Sequence, residues 1–260
     1  MNGMVLTIDI GNTNVTVGVY ENDALSFVTR LATDTRRMPA QYALELDQIS
    51  ALYGKRIREA DGAIISSVVP ELTDVLRQAV YTLTGRQAKI LGPGLKSGLN
   101  IKIDNPSQLG ADLVAGAVAA VAAYPLPCLV IDLGTATKIS VLDSAGNYRG
   151  CTISAGVGLS LNALAASAAQ LPTVNLDVPS CPAFGTNTVS SMQAGILLGT
   201  ASMLDGLCER IETELGEPVR TIVATGGRAG EIVKHCRKEM ICAPDLILDG
   251  LYTIYRKNSK

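Results

Sequence analysis

Val5-Leu6-Thr7-Ile8-Asp9-Ile10-Gly11-Asn12-Thr13-Asn14 sets a plan that Cys128-Leu129-Val130-Ile131-Asp132-Leu133-Gly134-Thr135-Ala136-Thr137 repeats, its Asp lying 123 residues later. In both stretches an apolar, β-prone run ends in Asp-x-Gly and turns through a Thr. A strand that ends this way presents a carboxylate for a cation and a Gly that lets backbone N–H groups approach an anion. The Thr adds a hydroxyl donor. One copy alone reads as an Asp-Gly hairpin. Two copies at half-chain spacing in 260 residues point to a duplicated domain whose halves face each other across a nucleotide phosphate tail.

The composition narrows the class. Hydrophobic residues make up 47% of the chain, with no Trp and only two Phe, so the core must be aliphatic. The 22 basic and 24 acidic residues give a net charge of −2 without a basic stripe, which argues against a nucleic-acid partner. No basic segment followed by an apolar one opens the chain, so no secretion signal is expected and a cytoplasmic protein is. Leu113 to Ile131 is an uncharged run of nineteen residues, but Pro125 and Pro127 cut it and Asp112 and Asp132 bracket it. A buried helix, a turn and a buried strand fit it better than a membrane span. The six cysteines form no C-x-x-C pair and read as reduced, structural thiols. His235 is the only histidine, so a zinc site is not expected. Its polar neighbours predict an exposed helix end.

Strand and helix patterns alternate along both halves. Strands are expected at Val5–Ile8, Val15–Tyr20, Ser26–Ala32 and Ala63–Val69, and helices from Pro39 to about Glu59 and from Leu72 to Gly85. The second half repeats the order. Strands are expected at Cys128–Asp132, Lys138–Leu142, Tyr148–Ser154 and Val219–Ala224, with helices near Leu159–Ala169, Val189–Leu215 and Leu246–Tyr255. Gly216 sits where a C-terminal cap belongs. Neither a Walker A pattern nor a G-x-G-x-x-G after a strand occurs. The expectation is an α/β protein of two duplicated domains with mixed sheets, residues 1–115 and 116–260.

The two Asp-x-Gly turns and Thr225-Gly226-Gly227 resemble the phosphate and adenosine motifs of the acetate kinase, sugar kinase, Hsp70 and actin superfamily. More narrowly, the chain resembles type III pantothenate kinase along nearly its whole length. Matching stretches include Ser66-Ser67-Val68-Val69-Pro70, Asp104-Asn105-Pro106, Gly110-Ala111-Asp112, Leu171-Pro172, Asn187-Thr188 and Gly250-Leu251. The resemblance implies two ribonuclease H-like domains of actin and sugar-kinase type. It implies ATP-dependent phosphorylation of pantothenate, the first step of coenzyme A synthesis. Asp9 would help hold Mg²⁺, and Gly11, Asn12, Thr13, Asn14 and Thr16 would cradle the ATP phosphates. Asp132 would bind a monovalent cation, K⁺ or NH₄⁺. Thr135 would contact the nucleotide, and Gly226 and Gly227 would let adenine lie against the backbone. Asp112 would be the catalytic base, with Gly110, Ala111, Leu113 and Thr188 at the substrate. Thr188 would reach the substrate from the partner subunit of a homodimer whose interface holds the site. Plain alternatives stand beside two of these roles: Asp112 as a helix N-terminal charge and Thr188 as a helix N-cap.

Four departures from the family pattern stand out. The Arg that usually follows the catalytic Asp is Leu113, and a Tyr near the substrate corresponds to Ile103. The usual Gly-Gly-x-x-x-Pro-Gly stretch has Cys151 as its second residue and Ala155 in place of the Pro. The second turn, usually ending Thr-Thr, ends Thr137-Lys138. Losing Arg and Tyr together leaves room for a kinase of another small alcohol, or for a weakly catalytic nucleotide-binding regulator. The retained Asp9, Asp112 and Asp132 argue against the regulator. Lys138 reads either as a solvent-facing strand lysine or as a tethered charge at the monovalent-cation position.

Overall fold

The structure, a computed structural model, describes residues 3–167 and 171–259. The chain divides into two compact units. The first takes in the chain up to Leu99, Asn105–Ala119 and the chain from Leu246; the second takes in Asn100–Asp104 and Ala120–Asp245.

In the first unit, β1 (Met4–Ile10), β2 (Asn14–Glu21) and β3 (Ala24–Ala32) form an antiparallel meander. Asn22 and Asp23, at φ 51° and 66°, make the two-residue turn between β2 and β3 that short-side-chain polar residues tolerate. Helix α1 (Pro39–Leu52) follows, then β4 (Gly62–Ser67), helix α2 (Pro70–Thr84) and the short β5 (Lys89–Ile90). The sheet order is β3-β2-β1-β4-β5, with β4 parallel to β1. Alternation along β1 sends Leu6, Ile8 and Ile10 into a core with Tyr42 and Leu46 of α1 and Leu72 and Leu76 of α2. Thr7 and Asp9 take the opposite face. Helix α1 stops short of the expected Glu59 because Gly54 turns to φ 70°, and only a 3₁₀ turn at Ile57–Glu59 follows. Gly85, left-handed at φ 67°, closes α2 as the sequence predicts.

A two-residue strand, β6 (Asn100–Ile101), and helix α3 (Ala111–Ala123) lead to the second unit. There β7 (Cys128–Leu133), β8 (Ala136–Leu142) and β9 (Asn147–Ala155) form a second meander. Helices α4 (Val157–Ser167) and α5 (Thr188–Leu215), β10 (Thr221–Thr225), the short α6 (Ala229–Val233) and β11 (Ile241–Cys242) complete it. The expected end of α4 at Ala168–Ala169 lies outside the described residues. The sheet order is β11-β10-β7-β8-β9-β6. Without its β6 edge this is the order of the first sheet, strand for strand. The core joins Leu129, Ile131 and Leu133 to Leu197 and Leu204 of α5 and Ile232 of α6.

The last helix, α7 (Leu246–Lys257), packs on β1 and β4 in the first unit. Val5, Tyr20 and Leu248 form a small cluster there. A Cβ on Gly250 would lie 1.8 Å from the Ala115 carbonyl oxygen, so α3 touches α7 backbone to backbone. Among the described residues no helix is long and apolar enough to cross a membrane, and the uncharged run becomes α3, a Pro turn and β7.

Candidate active site

The first turn is a tight bend between antiparallel strands, so the hairpin is real and serves as its scaffold. Gly11 N–H donates to the Asn14 carbonyl at 3.0 Å. Thr33, one residue beyond β3, fastens the bend from outside: its hydroxyl donates to Gly11 O at 2.7 Å and its N–H to Thr13 O at 3.0 Å. Asn12, Thr13 and Asn14 stay exposed. Thr16 is not in the bend; it stands on β2 opposite Asp9. On the other side Asp9 pairs with Ser66 of β4. Paired residues share a sheet face, so Thr16, Asp9 and Ser66 form a row of oxygen-bearing side chains at the carboxyl end of β1. Ser66 Oγ is buried and has no hydrogen-bond partner among the described residues. Such an orphan is uncommon in a folded protein and suits a site whose ligand completes it.

The second turn repeats the first with telling differences. Gly156, one residue beyond β9, donates its N–H to Thr135 O at 3.2 Å, as Thr33 does to Thr13. A Cβ there would lie 2.3 Å from Thr135 O and 2.5 Å from Gly134 O, so only Gly lets the chain seal the turn. Thr135 is exposed at the tip. Asp132 pairs with Lys138 on β8 and Thr225 on β10, so the corresponding row reads Lys138, Asp132, Thr225. Lys138 Nζ lies 3.0 Å from Asp132 Oδ2, and the two side chains are only 18% and 15% exposed. Lys138 is therefore not a solvent-facing strand lysine.

Gly226 follows β10 at φ 91°, where a Cβ would come within 2.7 Å of Asp132 Oδ1 and 2.6 Å of the Leu133 carbonyl carbon. The loop is pinned there by Arg228 N–H donating to Leu133 O at 3.2 Å. A Cβ on Gly227 would meet nothing within 4 Å. The two glycines thus have different reasons, and their Ala variants should separate. Gly226→Ala is expected to cost about 1–3 kcal/mol through overpacking, a fall in the thermal midpoint. Gly227→Ala should stay within about 0.5 kcal/mol. Equal losses would mean that Gly227 too is required by packing.

Asp112 occupies the first turn of α3 and is 9% exposed. A Cβ on Gly110 would lie 2.5 Å from Asp112 Oδ1, and Gly110 O accepts from Val114 N–H at 3.1 Å. Glycine at 110 therefore gives the carboxylate its room beside the helix start. Asp9 takes the sheet face that α7 covers, and α3 lies against α7. Leu113 is half-buried. Asn105 uses its side-chain carbonyl to cap a 3₁₀ turn, accepting from Ser107 N–H at 3.3 Å.

Thr188 is not the cap of α5. Asn187 is, accepting from Ser190 N–H at 3.0 Å, while Ser190 Oγ accepts from Asn187 N–H at 3.3 Å. Thr188 is the first helical residue, exposed on the rim of a cavity of about 720 Å³ that Leu164, Leu171, Met192 and Ile196 also line. Nothing here rests on thiol or imidazole chemistry. All six cysteines are unpaired, and burial pushes the Cys128 thiol up to about 12 and Cys208 to about 11. His235 is half-buried and not an exposed helix end; burial, then Lys234, holds its imidazole below the ordinary range. Among the described residues no group of three His, Cys, Asp or Glu is placed to hold a metal ion. A magnesium ion suits such a site nonetheless. It commonly takes one or two carboxylates, keeps waters and completes its shell with substrate phosphate. The oxygen-only row at Asp9 fits that habit.

The profile of the family described as type III pantothenate kinase matches residues 5–210. A protein of that name from Moorella thermoacetica is 38% identical over 256 residues, covering 98% of this chain and 100% of the relative. Another from Anaeromyxobacter dehalogenans is 39% identical over 255 residues, at 98% and 100% coverage. Among solved structures, a conserved putative Baf family transcriptional activator from Campylobacter jejuni aligns with a TM-score of 0.62 at 20% identity, covering 97% of this chain and 98% of that one. The ADPNP-bound activator of the 2-hydroxyisocaproyl-CoA dehydratase from Clostridium difficile aligns at 0.60 and 15% identity, covering 99% and 98%. At these identities the structural likenesses establish the fold, the α/β architecture of the actin and sugar-kinase type.

Proposed function

The chain belongs to the type III pantothenate kinase family, and we propose that it transfers the γ-phosphoryl group of ATP to the primary hydroxyl of pantothenate, the entry to coenzyme A synthesis. One observation in this chain carries the reading: Asp9 closes β1 beside the Ser66 hydroxyl, which lacks a hydrogen-bond partner among the described residues, while Asp112 sits in the first turn of α3, the helix that meets α7 at Gly250. Phosphoryl transfer needs positioning and charge neutralisation more than covalent help. The bend at Gly11–Asn14 offers its backbone and exposed side chains to the ATP phosphates, with Thr16 alongside Asp9. Mg²⁺, when bound, neutralises phosphate charge, and Asp9 with the Ser66 hydroxyl would hold it. Thr135 and the open backbone at Gly227 would contact the nucleotide, with Gly226 holding the loop in place. The hydroxyl oxygen attacks the γ-phosphorus as the bond to the ADP oxygen breaks, and Asp112 takes the hydroxyl proton. ATP consumption with and without pantothenate tests the assignment; equal rates would contradict it.

Gly110, Ala111 and Leu113 would lie along the substrate, and Thr188 would reach it from the second subunit of a homodimer. Asn187 already caps α5, so the Thr188 hydroxyl is not needed for that task. The unpaired thiols suit a reducing cytoplasm. A second reading, phosphorylation of another small alcohol, is favoured by Leu113 and Ile103, which cannot copy a bidentate Arg–carboxylate contact or a Tyr hydroxyl. Backbone N–H groups at the start of α3 and the Asn105 amide remain as donors. Leu113→Arg is accordingly expected to lower KM for pantothenate more than it changes kcat. A lower kcat at unchanged KM would mean that position 113 does not face the carboxylate.

A further inference from the structure

The duplicated halves supply their own control for the cation at Asp132. At the end of β1 the row across the sheet is Thr16, Asp9, Ser66; at the end of β7 it is Lys138, Asp132, Thr225. The strands correspond one to one, so Lys138 stands where the first half has Thr16. The first row has oxygen-bearing side chains on either side of its carboxylate. The second carries an ammonium 3.0 Å from Asp132 Oδ2, within a pair that is mostly shielded from water. The other carboxylate oxygen, Oδ1, faces Gly226 and Gly134, where Cβ atoms would lie 2.7 and 3.2 Å away. One oxygen is thus committed to the tethered charge and the other is walled by glycine backbone. A free monovalent cation does not fit beside a resident ammonium of the same charge, because like charges in a poorly solvated site repel strongly.

We propose that the Lys138 ammonium takes the place of the monovalent cation at Asp132, so that nucleotide binding and turnover in this protein do not require K⁺ or NH₄⁺. An ammonium is a compact point charge with three donors, which makes it a close chemical stand-in for a monovalent ion. The inference rests on the kinase reading, but its test does not depend on the acceptor.

The test uses the whole protein and Lys138→Thr, which rebuilds at β8 the residue found at Thr16. Two readouts need no pantothenate: affinity for a non-hydrolysable MgATP analogue, and the thermal unfolding midpoint. Each is measured in KCl and in tetramethylammonium chloride at equal ionic strength. The unmodified protein is expected to behave the same in both salts. Lys138→Thr should lose on the order of 10²-fold in nucleotide affinity without K⁺, as expected when one charge of a desolvated pair is left unpaired, and K⁺ should restore it. The midpoint of the variant, and not of the unmodified protein, should rise with K⁺. Saturable K⁺ activation of the unmodified protein would overturn the proposal. So would a variant indifferent to K⁺. If the analogue bound neither protein in either salt, the kinase reading would fail, and the midpoints alone would decide the fate of Lys138.

Discussion

Asp112→Asn is expected to keep the fold and nucleotide binding while turnover falls by about 10²–10⁴, the usual cost of losing a general base. That range corresponds to a barrier increase of about 3–5 kcal/mol. The competing role for Asp112 is a charge at the helix start, and its loss costs only about 0.3–1 kcal/mol of stability. The two effects differ enough in size and kind to be separated. Asn keeps the shape beside Gly110, so packing in the first turn of α3 is preserved. Turnover and thermal midpoint should be measured on the same preparation. Near-normal turnover with a small stability loss would leave Asp112 as a helix charge and remove it from the chemistry.

The second large effect belongs to Asp9. Asp9→Ala is expected to lower turnover on the order of 10²–10³, as removal of one preorganised electrostatic contact does, with a higher Mg²⁺ requirement. The core face of β1 is built by Leu6, Ile8 and Ile10, and Asp9 is on the other face, so the fold should persist. The measurement is the Mg²⁺ dependence of turnover set against the thermal midpoint. A large destabilisation with unchanged Mg²⁺ dependence would make Asp9 a hairpin residue only.

Much of this was legible in the chain because the duplication is written twice. Both Asp-x-Gly turns, the three-strand meanders and the αL caps at Gly85 and Gly216 follow from local pattern and side-chain chemistry. The return of α7 to the first sheet is not legible, since it depends on contacts between distant segments such as Gly250 and Ala115. The turn fasteners are not legible for a related reason. Thr33 and Gly156 have no motif of their own; only the shared position after the third strand of each half marks both. The alternative of Thr188 as a cap rests on Thr being a good one, but Asn187, one position earlier, with Ser190 three residues later, is better. The apolar spacing of helix α1 continues past Gly54, so the pattern overruns the helix, which the Gly54 backbone breaks. For Lys138 the spacing identified the residue, and only the register with Asp132 chose between its two roles.

Acceptor competition at fixed ATP decides whether this chain phosphorylates pantothenate. Pantothenate, pantetheine and the carboxyl-free alcohol would be supplied together, and the phosphorylated products quantified. Phosphopantothenate is expected as the main product, with one ADP formed per phosphate transferred. Preferential phosphorylation of pantetheine or the carboxyl-free alcohol would contradict it, and would mark Leu113 and Ile103 as the signs of a changed substrate.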